Sequence, residues 1–233
     1  PEALGVISDT ARRHDSPLEV ISNAVLLRPP LDSLELPLLG EHQRINAALA
    51  IATVGALSGV IPVRDEAVRL GLRRVHWPGR LQWVKSPSGQ NILLDGAHNP
   101  AGAEALRAAL REIFPGAKPT LIFGVLRDKD WQPICQILTP LTEKILLVPV
   151  SSERTAAPQD LLAACHAANP AAQVHVCPSL PEALRQTTAD PFLLITGSLY
   201  LVGEAMELLQ LSQQPPANER ALNEWSQPGS ARG

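Results

Sequence analysis

The apolar runs Ile92-Leu93-Leu94, Leu121-Ile122-Phe123, Ile145-Leu146-Leu147 and Leu193-Leu194-Ile195 punctuate the second half of this sequence, with helical patterns between them. A strand that is apolar on both faces must be covered on both faces, and a parallel sheet wrapped by helices provides that cover. The alternation predicts an α/β fold with a mostly parallel, doubly wound, Rossmann-like sheet. Strands are expected at Arg80–Val84, Asn91–Asp95, Thr120–Gly124, Lys144–Val150, Gln173–Cys177 and Phe192–Thr196. The first two read as a β-hairpin closed by Pro87-Ser88-Gly89. Helices are expected at Ala101–Arg111, Trp131–Leu138, Pro158–Ala168 and Leu199–Leu211. Ser179-Leu180-Pro181-Glu182 has the capping-box pattern, and opens one more helix that runs to Thr188.

Within this frame the stretch from Asn91 to Pro100 ends a strand and starts a helix. Asn99 suits the N-cap, and Pro100 suits the first helical position, where a missing N–H costs nothing. Asp95 and His98 therefore fall at the strand-to-helix edge where open α/β sheets bind ligands. An acid and an imidazole there can orient a cation, an amine or a ribose; the same pair can also simply tie down a turn. There is no G-x-G-x-x-G and no G-x-x-x-x-G-K-[ST], so neither a dinucleotide fingerprint nor a phosphate loop is present. No serine sits in a G-x-S-x-G elbow, so a Ser/His/Asp triad has no support.

The first third reads differently. Pro1–Arg13 has a helical pattern with Leu4, Ile7 and Ala11 on one side. Pro17–Ile21 reads as a short strand, and the Leu- and Pro-rich Asn23–Pro37 as irregular strands. Gly40–Leu57 is a strong helix, with Ile45, Ala48, Leu49 and Ala52 sharing its apolar face. Gln43 and Asn46 are i,i+3 neighbours on it, and His42 and Asn46 are i,i+4 neighbours. An amide donates and accepts at once, so Asn46 suits an adenine edge; a buried Asn bridging packed segments is the other reading. Ala47–Val63 is uncharged, but Thr53, Gly55, Ser58, Gly59 and Pro62 make it a buried helix rather than a membrane span. Asp65–Arg74 forms a further amphipathic helix, and His76-Trp77-Pro78-Gly79 then breaks the pattern. The domain boundary is therefore set between residues 75 and 76. The sequence opens on Pro1 inside a helical pattern without a basic-then-apolar leader, and reads as the later part of a longer chain. Residues 212–233 are polar and contain Pro215-Pro216, so a disordered tail is expected.

Composition closes off some function classes. Lys+Arg 20 against Asp+Glu 23 leaves a formal charge of -3, which gives nucleic acid no basic surface. Aromatics at 3% give no stacking platform for single strands. Cys135, Cys165 and Cys177 form no C-x-x-C pair, and an odd count fits a reducing, cytoplasmic setting. His175 and Cys177 alternate along an expected strand, the ordinary pattern for one sheet face, so no metal site is assigned to them or to Cys165-His166.

Five stretches occur together in one order: Leu38-Leu39-Gly40-Glu41-His42-Gln43-Arg44-Ile45-Asn46-Ala47, Trp77-Pro78-Gly79-Arg80-Leu81, Leu93 to Pro100, Phe123 to Asp130, and Thr196-Gly197-Ser198-Leu199-Tyr200-Leu201-Val202-Gly203-Glu204. In this order and spacing the sequence resembles the folylpolyglutamate synthase/dihydrofolate synthase enzymes of the Mur ligase superfamily. The resemblance runs from near Pro1 to about Leu211 and corresponds to the second half of such an enzyme.

The resemblance implies the end of a P-loop-type central domain over residues 1–75 and a Mur ligase C-terminal domain over residues 76–211. It implies an ATP-dependent ligase that joins L-glutamate to a pteroate or folate carboxylate through an acyl phosphate, with ATP and Mg2+. The phosphate loop and the metal ligands would lie in the earlier part of the central domain. By resemblance, Asn46 contacts the adenine, Arg80 reaches the nucleotide phosphates, Asp95 binds the ribose or helps close the site, His98 contacts ATP or glutamate, and Ser198 the substrate. Arg80 and His98 are the expected catalytic residues. The partners implied are small molecules (folate or pteroate, L-glutamate and ATP), with no nucleic acid and no membrane, in a monomer. Two alternatives stay open: a Mur-type amino-acid ligase acting on a peptidoglycan precursor, and a binding module without catalysis.

Overall fold

Pro100 opens a helix instead of breaking one. It is the first residue of α4 (Pro100–Ile113), and the Oδ1 of Asn99 accepts the Gly102 N–H at 2.7 Å, as an N-cap should. This geometry comes from a computed structural model, which describes residues 2–27, 31–86 and 88–211. The tail expected to be disordered lies outside the described residues.

The described chain divides into two compact units, residues 1–80 with 108–115 and residues 81–107 with 116 onward. In the first unit, α1 (Glu2–Arg13), a 3-10 segment (Asn23–Leu27), α2 (Glu41–Ala56) and α3 (Asp65–Arg73) follow one another. Two expectations fail here. Pro17–Ile21 forms no strand, and the described residues of Asn23–Pro37, which exclude 28–30, hold the 3-10 segment and turns instead of irregular strands. A lone extended segment has no neighbour to pair its backbone groups, and its prolines lack a donor.

The expected apolar face of α2 is also rotated. Gln43, Ala47 and Ala48 are buried, while Ile45 and Leu49 are exposed. Arg44 explains the rotation. Its guanidinium donates to the carbonyls of Leu26 and Leu31, drawing that side of α2 onto the preceding segment. Leu26, Leu31 and Leu34 then pack on Ala47 and Ala48, whose small side chains allow the approach.

The second unit is the predicted sheet. Its strands are β1 (Gln82–Lys85), β2 (Asn91–Leu94), β3 (Thr120–Phe123), β4 (Lys144–Leu147), β5 (Gln173–Val176) and β6 (Phe192–Thr196), in the order β1-β2-β6-β3-β4-β5. The β1–β2 pair is the expected antiparallel hairpin, and every other pairing is parallel. β1 starts at Gln82, so Arg80 sits in the preceding turn and not on the strand. The turn needs left-handed backbone at Gly79 and Leu81, with φ of 71° and 45°. Helices α5 (Trp131–Leu138), α6 (Pro158–Ala168), α7 (Leu180–Gln186) and α8 (Leu199–Leu208) complete the unit.

Alternation along the strands builds two half-cores. Ile92, Leu94, Ile122, Leu146, Leu193 and Ile195 pack with Leu180 and Ala183 of α7 and Leu201, Val202 and Ala205 of α8. Leu93, Leu121, Phe123, Ile145, Leu147 and Leu194 point to the opposite face and are equally buried. Burying one such side chain contributes about 1.5–3 kcal/mol. β5, at one edge of the sheet, departs from this rule, with His175 and Val176 exposed.

β6 lies between β2 and β3 although it comes last in sequence. The chain leaves β2 through α4, runs outward through β3, β4 and β5, and turns back through α7 to insert β6 between β2 and β3. That reversal opens a crevice beyond the C-terminal ends of the strands, where ligands of such sheets bind.

Candidate active site

The loops at these strand ends are built around backbone contacts. After β2, the carboxylate of Asp95 accepts two N–H groups, Leu81 on Oδ2 and Ala97 on Oδ1, each at 2.9 Å. Asp95 is buried, and its own N–H donates to the Ile195 carbonyl. The turn between β2 and α4 is thereby fixed to β6 and to the entrance of β1. At the end of β6, Thr196 donates its hydroxyl to the Ala97 carbonyl at 3.5 Å.

Two glycines let the loops come this close. Gly197 has φ of 109°, and a Cβ there would lie 2.5 Å from the Gly124 carbonyl oxygen and 2.8 Å from the Phe123 ring. A Cβ on Gly124 would lie 2.6 Å from the Val148 carbonyl oxygen.

His98 follows from the same turn. Its Nδ1 is 2.8 Å from the Gly96 carbonyl, which can only accept, so Nδ1 carries the proton. In the neutral ring Nε2 is then the proton-accepting nitrogen. Ser198 is the N-cap of α8: its Oγ accepts the Tyr200 N–H at 3.2 Å. The N-terminal end of α8 contributes a partial positive charge at this point.

His98, Ser198, Leu199 and Tyr200 meet Leu126, Lys129 and Arg154 around a cavity of about 140 Å³. Four loops converge there, from the ends of β2, β3, β4 and β6. The loops after β3 and β4 are tied together by main-chain bonds: the Arg127 N–H donates to the Arg154 carbonyl at 2.8 Å and the Ala156 N–H to the Val125 carbonyl at 2.9 Å. Lys129, Arg154 and a helix N-terminus around one small cavity make a seat for an anion, and Arg can grip a carboxylate with two parallel bonds. A larger cleft of about 390 Å³ in the first unit is lined by Ile51, Val54, Val63 and Val68 with Ser58, Asp65 and Arg69. No residue expected to be functional lines it.

Of the residues singled out from sequence, His98 and Ser198 share the small cavity. Arg80 is half-buried in the turn before β1, and Asp95 is held by the backbone bonds above; neither lines the cavity. Asn46 lies on α2 in the first unit, exposed rather than buried, and donates to the Gln43 Oε1 at 3.1 Å across the expected i,i+3 spacing. Sequence reasoning missed Lys129 and Arg154 as functional residues. Both follow strands, so the rule that pointed to Asp95 and His98 applies to them too; Lys129 lies in the stretch Phe123 to Asp130 but was given no role there, and Arg154 lies in none of the five stretches.

Elsewhere, Cys135 on α5 and Cys165 on α6 bring their sulfurs to 3.7 Å, fully buried. All three cysteines are free. Sharing a hydrogen bond with Cys165, and burial after it, push the Cys135 thiol up; burial pushes Cys177 up. Among the described residues no three His, Cys, Asp or Glu side chains gather to hold a metal, and no helix is long and apolar enough to cross a membrane.

The Mur ligase, glutamate ligase domain matches residues 79–199, which hold every lining residue of the cavity but Tyr200. The chain belongs to this family. The glutamate ligase domain is accompanied here by similarity that extends over the first unit. The dihydrofolate synthase/folylpolyglutamate synthase of Bacillus subtilis (strain 168) is 28% identical over 229 residues, covering 90% of this chain and 53% of that protein. The folylpolyglutamate synthase of Lacticaseibacillus casei is 36% identical over 185 residues, 77% of this chain and 41% of that protein. The structure of Mycobacterium tuberculosis folylpolyglutamate synthase complexed with ADP superimposes with a TM-score of 0.67 at 31% identity, covering 79% of this chain and 43% of that one. The chain thus spans about half the length of the curated relatives it matches.

Proposed function

We propose that this Mur-type chain is the later half of an ATP-dependent ligase that adds L-glutamate to a dihydropteroate or folate carboxylate. The observation that carries the proposal is the cavity of His98, Lys129, Arg154 and Ser198 at the strand ends of a glutamate ligase domain. The ADP bound in the Mycobacterium tuberculosis relative supports a nucleotide as co-substrate.

In this reading the acceptor carboxylate attacks the γ-phosphorus of ATP, ADP leaves, and an acyl phosphate forms. The glutamate amine then attacks the acyl carbon, phosphate leaves, and an amide remains. Arg154, Lys129 and the N-terminus of α8 hold a carboxylate of the incoming glutamate. His98, proton on Nδ1, takes the proton released by the amine on Nε2, a general-base role. Asn46 reads the adenine, Arg80 the phosphates and Asp95 the ribose. Among the described residues no three His, Cys, Asp or Glu side chains gather, and Mg2+ is held mostly by substrate phosphates with one or two carboxylates. We assign it, with the phosphate loop, to the part of the relatives' length outside this chain.

The test is ADP release by the full-length enzyme containing this chain. Release that requires both a pteroate or folate and L-glutamate is the expected result. Release dependent on a peptidoglycan precursor, or none with any acceptor, overturns the proposal.

A further inference from the structure

Asp128 lies in the β3–α5 loop beside the two cations of the cavity, yet it does not line the cavity itself. Its Oδ2 is 3.5 Å from Nη1 of Arg154 and 3.9 Å from Nζ of Lys129. One carboxylate oxygen is thus shared between the two groups that would receive an anionic ligand. Neither distance reaches the 2.7–2.9 Å of a strong charge-assisted bond. All three side chains are substantially exposed, at 46% for Asp128, 52% for Arg154 and 34% for Lys129. Pairs of this kind are weak, each worth at most a few-fold in an equilibrium constant.

The geometry points to Asp128 as a residue that sets amino-acid affinity: an internal counter-ion that the carboxylate of the ligand must displace from Arg154 and Lys129. This rests on the reading of the cavity as the glutamate site. The backbone around the cations is pinned, with the Lys129 N–H donating to the Leu126 carbonyl at 3.1 Å and the Arg127 N–H to the Arg154 carbonyl at 2.8 Å. Exchange of one carboxylate for another therefore needs only side-chain rotation. A ligand carboxylate that grips Arg154 with both oxygens replaces a single shared oxygen, which gives displacement its direction. Asp128 also keeps the two cations from holding the ligand, or any passing anion, too tightly.

The test is calorimetric titration of the full-length enzyme containing this chain with L-glutamate at low salt, for the parent, Asp128→Asn, Asp128→Glu and Arg154→Ala. Asp128→Asn should bind roughly two- to tenfold more tightly than the parent, the sum of the two weak pairs. Asp128→Glu, which keeps the charge, should stay near the parent. Raising the salt should narrow the gap between Asp128→Asn and the parent, a response that a merely structural role would not give. Loss of binding in Arg154→Ala with equal or weaker binding in Asp128→Asn overturns the counter-ion role and leaves the cavity reading standing. Absence of binding in every folded variant, the parent included, overturns the cavity reading and the role of Asp128 with it.

Discussion

The backbone N–H of Leu81 donates to Oδ2 of Asp95 at 2.9 Å while Leu81 itself holds a φ of 45°. A non-glycine residue in the left-handed region costs of order 1–3 kcal/mol, and it persists only where its surroundings over-determine it. Leu81 is 2% exposed, so burial of its side chain and the bond to Asp95 together hold it there. The turn that presents Arg80 is thus fixed by a carboxylate just past the end of the neighbouring strand.

Asp95→Ala should therefore cost stability before it costs anything else. It leaves the N–H groups of Leu81 and Ala97 without their acceptor in a buried setting, at about 1–3 kcal/mol each. Asp95→Asn keeps one oxygen and turns an NH2 toward the other donor, so it should be destabilising as well, by a smaller amount. Urea unfolding of the two variants checks the order. Equal stability of Asp95→Ala and the parent would show that the turn stands without this residue.

Gly197 and Gly203 separate backbone need from helix propensity within a few residues. Gly197→Ala places a Cβ against the Gly124 carbonyl at positive φ, and the expected loss is about 2 kcal/mol or more. Because Gly197 lines the cavity, the variant should also weaken the L-glutamate binding we propose for it. Gly203 lies inside α8, where an added Cβ meets nothing within 4 Å. Gly203→Ala should stabilise the chain by roughly 0.5–1 kcal/mol. Chemical denaturation of both variants reads the opposite signs directly.

These glycines also mark what could be read from sequence. Capping and apolar runs are local signals, so Asn99 and Pro100, Ser179 with Glu182, and the strand Phe192–Thr196 were legible. The doubly wound sheet followed from the strands' two-sided apolarity. The buried side of α2 was not legible, since it depends on where Arg44 finds carbonyl acceptors in a segment 13 and 18 residues away. The pairing of Lys129 with Arg154 across Asp128 was hidden for the same reason: it is made by two loops meeting. Left-handed Leu81 gave no signal at all, because leucine does not advertise positive φ.

Cys177 gives a pH-dependent prediction. Burial raises its pKa above the ordinary 9.0, so the folded chain keeps the proton that the unfolded chain releases. Its contribution to stability is complete below the ordinary thiol value and is lost as pH rises through the higher folded one. The loss should approach about 1.4 kcal/mol per pH unit between these values. Urea midpoints at pH 8 and pH 10 should fall further in the parent than in Cys177→Ala. An identical fall in both would remove burial of this thiol as a cause.

Arg80 carries the last prediction, within the full-length ligase we propose. A guanidinium that meets the transferring phosphoryl group stabilises charge that develops in the transition state, so its loss should appear in kcat more than in KM. Single electrostatic donors of this kind are worth a factor on the order of a hundred or more. Arg80→Ala should lower kcat by about that factor. Arg80→Lys should recover only part of it, because an ammonium cannot reproduce the forked donor geometry. Arg80 follows a left-handed Gly79 and precedes a left-handed Leu81, so its backbone is set by its neighbours and by Asp95 rather than by its own side chain. The side chain can therefore be removed without unfolding the turn, and circular dichroism should match the parent. Steady-state kinetics of the two variants decide the matter. A folded Arg80→Ala enzyme with parental kcat would make Arg80 a bystander in the turn and leave the nucleotide phosphates without a contact from this chain.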